Sequence, residues 1–274
     1  MRYKVTLSYD GSPFNGWQIQ PSAPSVQQLL EQALSTLLRS QVQVTGAGRT
    51  DTGVNASGYV AHFDFPAELD AVETGYKLNA ILPSSTVIHS IEKVGEDFHA
   101  RFSATGREYT YFLHRAKDPF ISDYSFLFTY PLDFKAMNEA AMALTGTHDF
   151  SCFEKSGADS KTSICTVREA YWAEYEPTHV SVMGFRAPVL NRPDLEEESL
   201  YWYFRICADR FLRNMVRAVV GTLLDVGRGK RTVEEFKSLI LPPDKSDITK
   251  DSSRRCRAGE SVPGNALFLS HVDY

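Results

Sequence analysis

Tyr3, Val5, Leu7 and Tyr9 alternate with Arg2, Lys4, Thr6 and Ser8 at the start of the chain, the period-two pattern of a half-buried strand. The run stops at the turn cluster Asp10-Gly11-Ser12-Pro13. A helical period then takes over, with Val26, Leu29, Leu30, Ala33, Leu34, Leu37 and Leu38 on one stripe. Ser25-x-x-Gln28 in front of it reads as a capping box. Alternating runs over 41–45 and 57–65 predict two strands with a loop between them. A second helix is expected over 69–80, stopped by Leu82-Pro83, and a strand over 86–91. Periodicity fades over 98–105, which reads as a crossing segment, and strand character returns over 107–114. A domain boundary is placed near Ala104, giving residues 1–104 and 105–274.

The second half repeats this style without an internal repeat. Asp133 is placed to cap a helix running to Leu144 and ended by Gly146. Strands are expected over 167–175, 179–185 and 200–208. Residues 186–199, with prolines and an acidic run at 194–198, read as a solvated loop or hairpin tip. A helix over 211–226 buries Leu212, Met215, Val216, Val219, Val220 and Leu223, with Arg210, Arg213 and Arg217 along one edge. Thr232-x-x-Glu235 caps one more short helix, and 266–274 closes the chain as a strand.

A length of 274 residues suits one large domain or two smaller ones. With 43% hydrophobic and 23% charged residues the chain has an ordinary globular composition. It has no apolar run of about 18 residues, so no membrane span is expected. The N-terminus alternates from its third residue instead of forming a signal peptide. Cys152, Cys165, Cys207 and Cys256 are scattered without a C-x-x-C pair, so neither a zinc site nor a disulfide framework is expected. A reducing cytoplasm is the natural compartment. The net charge of −5 argues mildly against a nucleic-acid partner. Its distribution argues the other way, because Arg210, Arg213, Arg217, Arg228, Lys230, Arg231, Lys250, Arg254, Arg255 and Arg257 gather in the last third, where a phosphate backbone could be held.

The densest candidate for chemistry is Gly46-Ala47-Gly48-Arg49-Thr50-Asp51-Thr52-Gly53-Val54, a glycine-permitted loop between two strands. Gly46-x-Gly48 invites a dinucleotide fingerprint, but Asp51 takes the third glycine's place and a strand follows where a helix is needed. A P-loop requires lysine, and none is present. From the local residues alone Asp51 reads as a turn carboxylate accepting backbone N–H groups, Tyr109 as packing in a sheet, and the arginine stripe as a solvated face. Phe14-Asn15-Gly16-Trp17-Gln18 is either a core anchor or a contact to a base.

Taken together, five tracts resemble the tRNA pseudouridine synthase A family: Tyr9-Asp10-Gly11 with Gly16-Trp17-Gln18; Gly48-Arg49-Thr50-Asp51-x-Gly53-Val54; Asn79-Ala80-x-Leu82-Pro83; Phe98-His99-Ala100-Arg101-Phe102-Ser103-Ala104 with Arg107-x-Tyr109-x-Tyr111; and Phe211-x-x-x-Met215-Val216-Arg217-x-x-Val220-Gly221. They stand in the family's order from the first strand to the last. The departures are Thr52 for a usual alanine, Asn55 for a usual histidine, Asp209-Arg210 for Asn-Gly or Asn-Ala, and Ala266 for glycine. Residues 186–199 have the look of an insertion.

The resemblance implies an α+β pseudouridine synthase fold of two domains, each an antiparallel sheet flanked by helices, around a central catalytic cleft. It implies isomerisation of uridine in the anticodon stem-loop of tRNA, at nucleotides 38, 39 and 40, with no cofactor or metal. Asp51 would be the essential carboxylate, suited to the oxocarbenium character that develops at C1′ when a glycosidic bond breaks. Tyr109 would sit against the uracil ring, Arg217 would orient the Asp51 carboxylate, and Arg49 would fill space or bind phosphate as the target is extruded. The family also implies a homodimer with tRNA lying across both subunits. A synthase of another RNA and a non-catalytic RNA-binding module are the competing readings, and a nucleotide-binding enzyme ranks third. The binding module gives Asp51 no role beside a phosphate site.

Overall fold

The structure is a computed structural model that describes residues 1–155, 157, 161–184, 199–240, 242 and 258–274. The chain forms two compact units: Met1–Glu108 together with Phe268–Tyr274, and Tyr109–Leu267.

The first unit contains β1 (Arg2–Tyr9), α1 (Val26–Leu38), β2 (Val44–Gly46), β3 (Asn55–Asp64), α2 (Ala71–Ile81) and β4 (Thr86–Val94). β1 pairs antiparallel with β3 on one edge and β4 on the other. The alternation in β1 becomes a buried row of Tyr3, Val5, Leu7 and Tyr9; Val5 faces Ala61 and Leu7 faces Tyr59 across the ladder. Each such side chain contributes about 1.5–3 kcal/mol on burial. Ser25, extended in backbone, accepts the Gln28 N–H and starts α1, which buries Val26, Leu30, Ala33 and Leu34. α2 begins after Asp70, whose carboxylate accepts the Glu73 N–H at 2.9 Å; this cap places its start two residues later than the apolar pattern suggests. α2 covers β4, and α1 lies against α2 and β2.

The second unit takes over within β5 (Gly106–His114) and continues with β6 (Phe126–Leu127), α3 (Phe134–Met142), β7 (Gly146–Asp149), a 3-10 turn at Ser151–Phe153, β8 (Ile164–Glu174), α4 (Thr178–Met183), β9 (Tyr201–Ala208), α5 (Met215–Gly227) and α6 (Val233–Lys237). Its strands run in the order β5–β9–β8–β7, with β7–β8 and β8–β9 antiparallel. α5 is the core helix: every residue of it except Arg217 and Asp225 is buried. α3 packs on α5, α6 and β8. Asp133 caps α3 through the Ala136 N–H at 2.9 Å, and Thr232 and Glu235 complete the capping box of α6.

The last strand, β10 (Leu267–Asp273), has most of its length in the first unit, where Phe268 and Leu269 pair parallel with Asn55 and Ala56 of β3. β6 likewise pairs parallel with β5. The α+β class is therefore observed, with a parallel pair added to each antiparallel sheet.

Two expectations need correction. Residues 178–183 are a helix, not a strand over 179–185: Pro177 sets the entry, and Gly184, at φ 64°, closes the turn by donating to the Val180 carbonyl. Of its apolar residues Val180 is buried, while Val182 and Met183 are exposed, so the apparent alternation had no buried face behind it. The basic helix begins at Met215 instead of 211, because Asn214 sits in the left-handed region at φ 64° and interrupts it. Arg210 and Arg213 thus precede the helix, and only Arg217 of the expected stripe lies on it. The loop 186–198 and the basic positions Lys250, Arg254, Arg255 and Arg257 lie outside the described residues.

Candidate functional site

The loop carrying Asp51 leaves β2 at Gly46 and enters β3 at Asn55. Its conformation is set by aromatic residues from the strands and from the segment after β1. Trp17 stacks on Tyr59 at 4.0 Å between ring centroids, and Tyr9 leans on both. The Tyr59 hydroxyl donates to the Gly48 carbonyl, and the Tyr9 hydroxyl bonds to Thr50 Oγ1 at 2.9 Å. Trp17 N–H donates to the Thr50 carbonyl at 3.3 Å, and Val54 N–H to the Asp51 carbonyl at 3.1 Å. Gly16, at φ 93°, passes so close to Thr50 that a Cβ there would meet its carbonyl oxygen, a position that excludes other residues. Phe14 and Trp17 are both buried, so the segment 14–18 is a core anchor that fixes the loop. Asn55 has a structural task as well: its side-chain oxygen accepts the Gly11 N–H at 2.8 Å. The result is a rigid tip with Asp51 half-buried and Arg49 exposed beside it.

A second segment of the same unit is tied to this loop by Arg107. Its guanidinium donates to the carbonyls of Ala104 at 3.1 Å, Arg101 at 2.8 Å and Ala47 at 3.2 Å. One side chain thus links the start of the Asp51 loop to the irregular stretch before β5. That stretch is internally ordered. His99 Nδ1 accepts the N–H groups of Arg101 and Phe102, Ser103 N–H donates to the His99 carbonyl, and His99 N–H donates to Ser103 Oγ. From β3, His62 Nδ1 accepts the Ala100 N–H at 3.1 Å. Burial first, then the charges of Arg2 and His99, push His62 down to about 4, against Asp64, which raises it; the ring is neutral at physiological pH and able to accept. Sequence reasoning gave Arg107 no role. The signal was present in an arginine standing just where periodicity resumes.

In the second unit, Tyr109 is half-buried with its ring edge-on to Phe211 at 5.1 Å. Arg217, on the first turn of α5, is held by a strap of residues 259–262. Its Nε donates to the Val262 carbonyl at 2.7 Å, and Val262 N–H donates back to the Arg217 carbonyl at 3.3 Å. Gly259 N–H donates to Thr222 Oγ1 at 2.9 Å, and Asn214 Nδ2 to Ser261 Oγ at 2.6 Å. The strap approaches the helix so closely that a Cβ on Gly221 would collide with the Glu260 carbonyl oxygen. Tyr111, two residues from Tyr109 on β5, is fully buried, and burial drives its phenol well above the usual tyrosine range against the opposing charge of Arg217.

Asp51 and Arg49 therefore share one loop of the first unit, while Tyr109 and Arg217 are each fixed within the second. Val262 was missed from sequence because its contribution is a backbone carbonyl, which leaves no residue-type signal. Among the described residues no group of three His, Cys, Asp or Glu side chains is arranged to hold a metal ion, and no helix is long and apolar enough to cross a membrane.

Residues 6–103 and 140–274 match the sequence profile of the family described as tRNA pseudouridine synthase. The chain is 47% identical over 273 residues to tRNA pseudouridine synthase A of Bacteroides thetaiotaomicron, covering 100% of this chain and 90% of that one. It is 43% identical to the protein of that name from Parabacteroides distasonis, over 100% of this chain and 96% of the relative. The Bacillus subtilis protein of the same name is 38% identical, with 100% and 99% covered.

Proposed function

The chain belongs to the tRNA pseudouridine synthase family, and from that membership we propose that it acts on the anticodon arm of tRNA, at nucleotides 38, 39 and 40, with Asp51 as the essential carboxylate. The protein is an isomerase that converts uridine in tRNA to pseudouridine. The observation that carries this reading is similarity over the whole chain to relatives named for that activity.

The reaction breaks the bond between N1 and C1′, turns the uracil over, and joins C5 to C1′; the proton leaves C5 and N1 ends protonated, so the product is an isomer of the substrate. Charge deficiency at C1′ calls for a carboxylate within reach, and Asp51 is presented for this on a tip held by Tyr9, Trp17 and Tyr59. A preorganised group of this kind needs little rearrangement during the reaction. Tyr109 receives the uracil ring. Arg217 supplies the catalytic guanidinium, its direction set by the Val262 carbonyl. Arg49, exposed on the Asp51 loop, contacts the RNA as the target nucleotide leaves its stack. The protein works in the cytoplasm, as a homodimer, with tRNA as its partner.

The test is pseudouridine formation in an unmodified tRNA transcript, with chelator and no added cofactor, comparing wild type with Asp51→Ala. Carbodiimide labelling and primer extension locate the product, since mass does not change. The expected result is modification in the anticodon arm by wild type and none by the variant. Modification elsewhere in the RNA would replace the assigned positions, and an active Asp51→Ala protein would remove Asp51 from the chemistry.

A further inference from the structure

Phe102 is an anomaly in a tract otherwise devoted to holding itself together. Its side chain is 75% exposed, yet its backbone N–H is fixed by His99 Nδ1 and the flanking turn is closed by the Ser103–His99 bonds. An exposed aromatic ring on a mobile loop needs no explanation. One held on a hydrogen-bonded turn, itself anchored to β3 by His62, is a surface prepared for contact. The ring lies 4.4 Å from the His99 imidazole between centroids, and the Arg101 guanidinium stands 5.5 Å from it. Arg107 joins this turn to the Asp51 loop, because the same Nη2 atom reaches both the Arg101 and the Ala47 carbonyls. Arg101 is exposed, as is Arg49 on that loop.

We propose that Phe102 is a stacking platform for an unpaired RNA base next to the target uridine, with Arg101 binding the adjoining phosphate. This deepens the functional reading above and rests on it. A flat ring on a fixed turn offers a face to any base, and base–aromatic stacking tolerates sequence because every base has a π-face. The neighbouring arginine supplies charge that a nucleic acid answers and that an apolar protein surface does not. Stacking also requires a base free of its own helix, so the platform selects targets at the border of paired and unpaired RNA. Phe102 acts in this way as a specificity residue for which RNA is held, separate from the residues that carry out the isomerisation.

The experiment compares wild type, Phe102→Ala, Phe102→Leu and Phe102→Trp in three measurements: Kd for an unmodified tRNA transcript, KM and kcat for pseudouridine formation, and sedimentation velocity. The expected outcome is that Ala and Leu raise Kd and KM about tenfold while kcat stays near wild type. Trp stays within about threefold of wild type, because it keeps a π-face. Thermal melting should not move, since the side chain is mostly exposed. An active wild type with unchanged Kd and KM in Phe102→Ala overturns the proposal. So does an equal recovery by Leu and Trp, which would point to plain apolar contact, or a shift in sedimentation that accounts for the lost binding, which would make Phe102 an interface between two copies of the chain. If the wild type forms no pseudouridine and Phe102→Ala still weakens RNA binding, the catalytic reading falls and takes with it the place beside a target uridine, leaving Phe102 as an RNA contact alone.

Discussion

His62 shows how one buried side chain ties pH to the shape of the site. Its neutral Nδ1 accepts the Ala100 N–H, and burial keeps its folded-state affinity for protons far below that of the unfolded chain, at about 4. The unfolded state therefore binds more protons between the ordinary histidine value of about 6.5 and 4. Stability from this group is complete above about 6.5 and is lost as pH falls through that window. Protonation would also turn the acceptor into a donor facing the Ala100 N–H, with Arg2 and His99 opposing the new charge and Asp64 favouring it. His62→Gln should flatten the fall in melting temperature between pH 6.5 and 4; an unchanged slope would show that other groups govern the acid transition. His114, buried beside Ser125, is also pushed down by burial and contributes in the same direction. At this scale the glycines and charge of 46–54 marked a loop between two strands, which is where Asp51 lies, while its local residues alone read as a turn and its proposed role came from the family resemblance. The sequence was silent on Arg107 and Val262, since a guanidinium bound to three carbonyls and a carbonyl bound to a guanidinium are products of tertiary approach.

At the scale of elements, α5 and the strap 259–262 form a unit in which small residues set the distance. Gly221→Ala would drive a methyl group into the Glu260 carbonyl, and because the obstacle is backbone, the strap has to move. Overpacking of this kind costs about 1–3 kcal/mol. Moving the strap also displaces the Val262 carbonyl from Arg217. Gly221→Ala should therefore lower the melting temperature and reduce kcat together. A destabilised variant with wild-type kcat would separate the strap from Arg217's work. Elements with explicit chemical ends were readable in advance: Ser25, Asp133 and Thr232 each cap the helix that the pattern predicts, whereas the Asp70 cap went unread and set the start of α2 two residues late. Failures came where local and tertiary signals disagree. In 178–183 the Val180–Val182 alternation imitates a strand, but Pro177 and Gly184 delimit a helix. At Asn214 a left-handed backbone breaks an apolar period that continues across it. β6 and β7, with two and four residues, are too short for periodicity to detect.

At the scale of the whole molecule the net charge of −5 gives RNA no general attraction, so affinity has to come from arginines in chosen places. Each phosphate contact contributes about one unit to the slope of log Kd against log salt. Arg101→Ala should reduce that slope by about one, measured for tRNA between low and physiological salt, and an unaltered slope would place Arg101 away from the backbone. The loss of periodicity over 98–105 suggested a boundary near Ala104, whereas the compact units change over between Glu108 and Tyr109, and nothing in the alternation of the last strand says which unit it joins. That membership has a consequence for how the protein is made. The segment that lies along Asn55 and Ala56 of β3 is translated only after all of Tyr109–Leu267. Until then the first unit emerges from the ribosome with a stretch of open β-edge beside the Asp51 loop, and a nascent chain cut short after the second unit keeps it, a template for unwanted strand pairing. Completion of the first unit is thereby coupled to synthesis of residues 268–274, and a product truncated before them is marked by its own exposed edge.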